Sequence, residues 1–409
     1  MRLNWLFRRR PRDVDTRTIT AHAGRPEPRD LNRPPDASPA SALNAFATRM
    51  LSALPAADAH ALSPQNLGLA LAMVTRGAAG HTLAELHAAL SIGDQAGALE
   101  RLADRLQAVR AEALPARLES VAGVWPDRTV VVDPAFLADM RSRYQADVRW
   151  MDFNEPEAVA AAVNRWAFEH TGGHIAEVVS PGAVPRPPGV LVSTAFFFQG
   201  MWADPFDRRA TLRAPFHAPG GDVSVWLMEQ TSRLQYADTG DLQVVRIPYV
   251  GGCCLTVILP GPGRLLTQAI DQLGQPGSLQ TLTSRASLQP VRLALPRIEI
   301  DSGIVSMRGV LQALGAASLF TRQADLGRMT AMTPAWVSDV VHRATLAVDE
   351  TGTVARAATV AHGLCTASRE SERVRPVEMR VDRPYLMLLQ MSRDGSILFA
   401  ASVTRPPSA

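Results

Sequence analysis

The chain has 409 residues, 46% of them hydrophobic and 20% charged, with a mean hydropathy of −0.01. That is the composition of a globular protein with ample material for a large core, and no stretch approaches the ~18 apolar residues that span a bilayer. The net charge of +3 is small and rests on scattered arginines, for there is no lysine, so a nucleic-acid surface is not expected. Lysine-free, alanine-rich usage suggests a GC-rich genome.

Residues 1–40 are rich in Arg, Pro, Asp and Thr without a sustained apolar period, and are expected to form a disordered, basic extension. The first ten residues carry charge but no apolar run behind it. No signal peptide is expected, which favours a cytoplasmic location and leaves secretion open. From Ala42, apolar residues Leu43, Phe46, Met50 and Leu51 recur at helical spacing. Ser63-Pro64 should cap and open a second helix, whose body Leu67–Val74 is apolar all round and so should be buried. Thr82 with Glu85 suggests a capping box, and further helices are expected at Ala98–Glu112, Pro134–Tyr144 and Pro156–Glu169. Beyond Gly172-Gly173 the texture turns to strands. Gly189–Phe198 reads as a strand buried on both faces. Others are expected at Ser224–Met228, Leu242–Ile247, Cys254–Leu259, Val291–Ile300, Trp336–His342, Ala344–Val348, Tyr385–Gln390 and Ile397–Val403, with one helix at Val305–Leu314. Without regular strand–helix alternation the fold class is α+β.

Catalytic patterns are missing. There is no phosphate loop ending in Gly-Lys, no His-Glu-x-x-His, no Cys-x-x-Cys and no Gly-x-Ser-x-Gly, so neither a metal nor a cofactor site is expected. Cys253, Cys254 and Cys365 make an odd count with no disulfide framework, and the adjacent pair reads as small buried hydrophobes. His342 lies between apolar strand neighbours and reads as a buried structural histidine.

One segment stands out. From Thr353, every second residue is small: Thr353, Ala355, Ala357, Thr359, Ala361, Gly363 and Cys365. The alternate set, which includes Val354, Arg356, Ala358 and His362, is mixed. Alternate residues of a strand share a face, so this segment could enter a sheet with a smooth face against a core. Its flanks Val337–Ala344 and Asp349–Thr353 resemble the serpin approach to the hinge. So do Asn164, Trp166, Thr171–Ile175, Gln199–Trp202, Ile247-Pro248-Tyr249, Leu295-Pro296-Arg297, Val381–Leu386 and Asp394–Phe399, in order along the chain. The resemblance runs from about residue 43 to Pro406 and leaves out the N-terminal extension.

The resemblance implies one serpin domain over 41–406, bacterial in type, with a short 407–409 tail. It would have about nine helices, three sheets and an exposed reactive loop over about 350–380. It implies a monomeric suicide inhibitor, not an enzyme. A target serine protease, or a cysteine protease, attacks the loop to form an acyl-enzyme. The cut loop then enters the large sheet and spoils the oxyanion hole, leaving a covalent 1:1 complex. About a dozen inserted residues, each adding a net hydrogen bond of ~0.5–1.5 kcal/mol, would release on the order of 10 kcal/mol. Glu350, Gly352, Thr353, Ala355, Ala357, Ala358 and Thr359 match the hinge. Loop length places the reactive bond at Thr366–Ala367, with Cys365–Thr366 next, which suits an elastase- or subtilisin-like enzyme with a small primary pocket. Control of sheet opening falls to Trp202, to a Glu350–Arg297 ion pair, and to Ser63, Asn66, Thr194 and His342, with Asn66 and Thr194 expected to exchange roles on either side of the histidine. The alternative is a non-inhibitory serpin acting as carrier, chaperone or scaffold.

Overall fold

The computed structural model describes residues 38–55, 58–92, 97–330, 335–353 and 375–407. Helices α1 (Pro39–Ala53), α2 (Pro64–Gly77), α3 (Gly80–Ala89), α4 (Ala98–Glu112), α5 (Pro134–Ser142) and α6 (Pro156–His170) lie in the first half of the chain. Three shorter ones follow: α7 (Leu266–Leu273), α8 (Ser278–Ser284) and α9 (Arg308–Ala313). The strands are β1 (Ala59–Leu62), β2 (Arg117–Pro126), β3 (Asp147–Val148), β4 (Val190–Met201), β5 (Leu212–Phe216), β6 (Val223–Asp238), β7 (Leu242–Pro248) and β8 (Cys253–Pro260). They continue with β9 (Ser287–Pro296), β10 (Ile298–Asp301), β11 (Val305–Ser306), β12 (Val337–Val348), β13 (Gly352–Thr353), β14 (Val377–Arg380), β15 (Tyr385–Met391) and β16 (Ile397–Val403).

These strands make two hydrogen-bonded ladders. One runs β10-β12-β13-β4-β2-β3, with β11 on β12. The other runs β1-β16-β15-β8-β7-β6-β9-β14, with β5 on β6. The long β6 carries β5 near its start and β7 at its end, so the second ladder has two lobes joined through β6 and β9. Two ladders thus supply three sheet regions.

Behind the first ladder lies α2. Ser63 Oγ accepts from the Asn66 N–H (3.1 Å), Pro64 occupies the first turn, and every residue of the helix except Arg76 is buried. An apolar surface on all sides is what a helix wedged between a sheet and other helices requires. On the opposite face α6 packs Val159, Val163 and Trp166 over Val121, Leu191 and Val341.

The structure corrects several readings. Helix α1 begins at Pro39, inside the segment assigned to the extension, because Ser38 caps it at the Ser41 N–H (3.1 Å). Thr82 and Glu85 do not form a capping box: α3 starts at Gly80, and both side chains instead bind Ser318 (2.9 and 2.7 Å). Val291–Ile300 is broken at Arg297, where the chain passes from one ladder to the other as β9 and β10. Residues 336–348 form a single strand from Val337, and Val305-Ser306 belongs to a short strand ahead of α9.

Asn164 ties α6 to the segment after it. Its Oδ1 accepts from the Val178 and Val179 N–H groups (2.8 and 3.0 Å), and its Nδ2 donates to the Val179 carbonyl (2.9 Å). Both valines are fully buried, so Asn164→Ala strands two amides out of water, at about 1–3 kcal/mol each. Urea denaturation followed by tryptophan fluorescence should show a loss of about 2–4 kcal/mol, and Asn164→Asp, which keeps the acceptor, should recover most of it.

Candidate functional site at the open end of a sheet

Strands β4 and β12 pair in parallel from Val190 and Val337 up to Phe197 and Thr345. Above that point they part. After Val348 the chain turns and comes back as β13, which lies between them: Thr353 pairs with both Val348 and Gly200, and Gly352 pairs with Met201. Thr353, the first residue of the small-residue segment, is therefore already seated in the sheet together with Gly352 before it. A side chain at 352 would run into the Gly200 carbonyl and come within 2.8 Å of Met201 Cα, so this seat requires glycine.

The turn is tightly specified. Asp349 Oδ1 accepts from the Thr351 N–H and hydroxyl and from the Gly352 N–H (2.8, 2.6 and 3.1 Å), a local side-chain bond that favours a turn over a straight strand. Trp202 holds it from β4's side: its indole N–H donates to the Asp349 carbonyl (2.9 Å) and its backbone N–H to Thr351 (3.0 Å). Trp202 stacks on Tyr249 at 4.3 Å, and Tyr249 shares a 2.6 Å hydrogen bond with the Thr353 hydroxyl. Thr353 is fully buried, so its face of the segment is the inward one. Tyr249 was matched in sequence only as part of a motif. Its bond to Thr353 depends on a register that sequence alone does not reveal.

Glu350 is buried, and its carboxylate accepts from the Thr211 hydroxyl (2.8 Å) while its carbonyl accepts from the Phe206 N–H (2.8 Å). The expected Glu350–Arg297 ion pair is not formed. Arg297 is exposed at the β9–β10 junction, while the Glu350 carboxylate points to Thr211 instead.

Lower down the seam, His342 is fully buried on β12 opposite Thr194 of β4. Its Nε2 accepts from the Ser63 N–H (3.0 Å), which leaves Nδ1 as the protonated nitrogen, donating to Thr194 Oγ1 (2.7 Å). The threonine hydroxyl in turn donates to the Val341 carbonyl (3.3 Å), and Ser63 Oγ donates to the Leu398 carbonyl (2.7 Å). Thr194 and His342 are thus brought together, but the expected exchange of roles is only half present. Asn66 does not reach the histidine; its Oδ1 accepts from Ser120 Oγ (3.1 Å), and the second partner of His342 is the Ser63 backbone. A helix-cap amide is an acceptor-seeking group no residue-type pattern would point to. Ala355, Ala357, Ala358, Thr359, Cys365, Thr366 and Ala367 lie outside the described residues.

A family model described as "Serpin (serine protease inhibitor)" matches residues 41–406. Among relatives, Serpin-Z2B of Triticum aestivum is 30% identical over 88% of this chain and 94% of its own. Serine proteinase inhibitor 2.4 of Apodemus sylvaticus is 32% identical over 84% of this chain and 82% of its own. Among solved structures, the native thermophilic serpin tengpin superimposes with a TM-score of 0.78 at 21% identity, covering 89% of this chain and 93% of its own. A thyroxine-binding globulin complex with thyroxine reaches 0.76 at 20%, covering 90% and 99%. At those identities the two structures speak to the fold alone.

Burial alone pushes the His342 pKa down to about 3, against about 6.5 for a free imidazole, so the ring is neutral at neutral pH. The unfolded chain therefore binds the extra proton first as pH falls. Stability is complete above pH ~6.5 and is lost progressively down to pH ~3, by up to about 5 kcal/mol from this group. His342→Gln should flatten the fall in stability between pH 7.5 and pH 4.5 relative to wild type. Parallel curves for the two proteins would assign the acid sensitivity elsewhere.

Proposed function

This chain belongs to the serpin family, whose members are generally protease inhibitors rather than enzymes, and from that premise we propose that it is a suicide inhibitor of a serine protease. The observation that carries the reading is the seated hinge. Pairing Thr353 with Gly200 on one side and Val348 on the other sets a register for anything that follows. Continued inward two residues at a time, that register sets Ala355 opposite Phe198 and Leu346, then Ala357 opposite Phe196 and Ala344. Thr359 then arrives opposite both Thr194 and His342, the pair that holds the seam closed. Insertion must break that hydrogen bond, and a threonine comes to the place where it was. Each inward-facing residue on the way is small, as entry beside a packed core demands.

On this reading the protease cleaves at Thr366–Ala367, or at Cys365–Thr366, and is carried off as an acyl-enzyme when the loop enters the sheet. The small residues before the bond suit an elastase- or subtilisin-like primary pocket. Strand addition to an opened sheet edge is an established mode of recognition, driven by main-chain pairing. Bacterial origin rests on the lysine-free composition, since the relatives quoted are from a plant and an animal.

The test is incubation with elastase-, subtilisin- and trypsin-like proteases followed by a denaturing gel. An SDS-stable 1:1 complex is expected with at least one, and the cleaved inhibitor should melt well above the intact form. Ala357→Arg, which places a charge on the inward face, should leave the loop cleavable while abolishing the complex. Clean cleavage of the wild type with the protease still active, and no rise in melting temperature, would instead favour the carrier or scaffold reading.

A further inference from the structure

Arg297, left without its expected partner, has another neighbour. Its backbone N–H donates to the Trp226 carbonyl (2.8 Å), continuing the Leu227–Pro296 pairing of β6 and β9. On the other side of β6, Arg213 of β5 pairs with Trp226, and its guanidinium carbon stands 5.0 Å from the centroid of the indole ring. Cross-strand partners share a face, so Arg213, Trp226 and Arg297 form a row across three strands.

All three are exposed, Trp226 to 39%. Among the described residues neither arginine has an acidic partner, whereas the neighbouring Arg292 and Arg380 are paired with Glu229 and Asp382 (3.1 and 3.3 Å). The Arg213–Trp226 stacking is worth only about 0.5–1 kcal/mol at an exposed site, so stability alone is a weak reason for this row. Trp and Arg are, however, the residues that dominate protein–protein contacts, and uncompensated charge steers association.

The position of the row indicates its partner. Thr211, two residues before Arg213, donates to Glu350 at the outgoing anchor of the loop. Val381, just past β14 at the returning anchor, donates its N–H to the Ala294 carbonyl, three residues before Arg297. The row is bracketed by both anchors, so it lies beside the base of the loop that a protease would engage. We propose that Arg213, Trp226 and Arg297 form a secondary docking surface for an acidic patch on the target protease. This rests on the inhibitor reading above.

The experiment measures the second-order rate of loop attack by the most acidic protease of the panel, at low and high salt. Arg213→Glu with Arg297→Glu should slow it about tenfold at low salt, the gap closing as salt screens the charges. Trp226→Ala should slow it several-fold at either salt. Melting temperature and inhibitory stoichiometry should stay at wild-type values for Arg213→Glu and for Trp226→Ala. Wild-type rates in all variants would overturn the proposal while leaving the inhibitor reading intact. If the wild type is cleaved without trapping, the inhibitor reading fails, yet kcat/KM for loop cleavage still reads the docking step. A rate increase with added heparin or polyphosphate, lost in the same variants, would assign the row to a polyanion and overturn a protease partner.

Discussion

The hydrogen bond from His342 to Thr194 crosses the β4–β12 seam, the seam that loop insertion, on the reading proposed above, would have to open. Everything around it serves to make that bond both satisfied and breakable. The imidazole is neutral because burial forbids the charge, and it is held in one tautomer by the Ser63 amide at the start of α2. A buried neutral donor with a single acceptor gives specificity without the desolvation cost of an ion pair. It also leaves a defined polar position, an N–H that a newcomer carrying an acceptor such as a hydroxyl can meet.

The two ends of the seam differ in kind. Around His342 it is closed by strand pairing and by α2 behind it. At the top it is held apart by Gly352 and Thr353, under a turn capped by Asp349 and clasped by Trp202. The opening is thus started but blocked. The costly first step of parting two strands has been taken within the folded state, and what remains is propagation against an intact ladder.

Much of this was legible in the sequence, for reasons that differ by element. The ends of α4 and the start of α2 follow from periodicity and from Ser63-Pro64, which act locally. The ten-residue β2, at the heart of the same sheet, escaped notice because Arg117–Pro126 mixes Ala, Gly and charge, and its strand character comes from pairing with β4. Helix α8, seven residues long, is too short to show a period, whereas α7 shows one over only eight residues, with Leu266, Ala269, Ile270 and Leu273 buried at helical spacing. At the site, parity and small size pointed to an inward face beginning at Thr353, which is buried, while Trp202 clasps the turn and Thr194 meets His342. What sequence could not settle was which polar group answers which: Glu350 chose Thr211 over Arg297, and Asn66 chose Ser120 over His342. Both choices depend on sub-ångström placement of side chains from distant parts of the chain.

The topology also explains why insertion would run downhill. In the intact form β4 and β12 are joined by a parallel ladder of eight paired positions. Parallel pairing is slightly weaker per residue than antiparallel. A strand that continues β13 is antiparallel to both neighbours, as Thr353 already is. Its entry exchanges one parallel ladder for two antiparallel ones, and converts loop amides bonded to water into sheet amides. The gain grows with every residue that enters, while its main local opponent, the Thr194–His342 bond, is met once. On the inhibitor reading, a barrier of fixed height in front of a gain proportional to length would let an intact chain wait and a cut one commit.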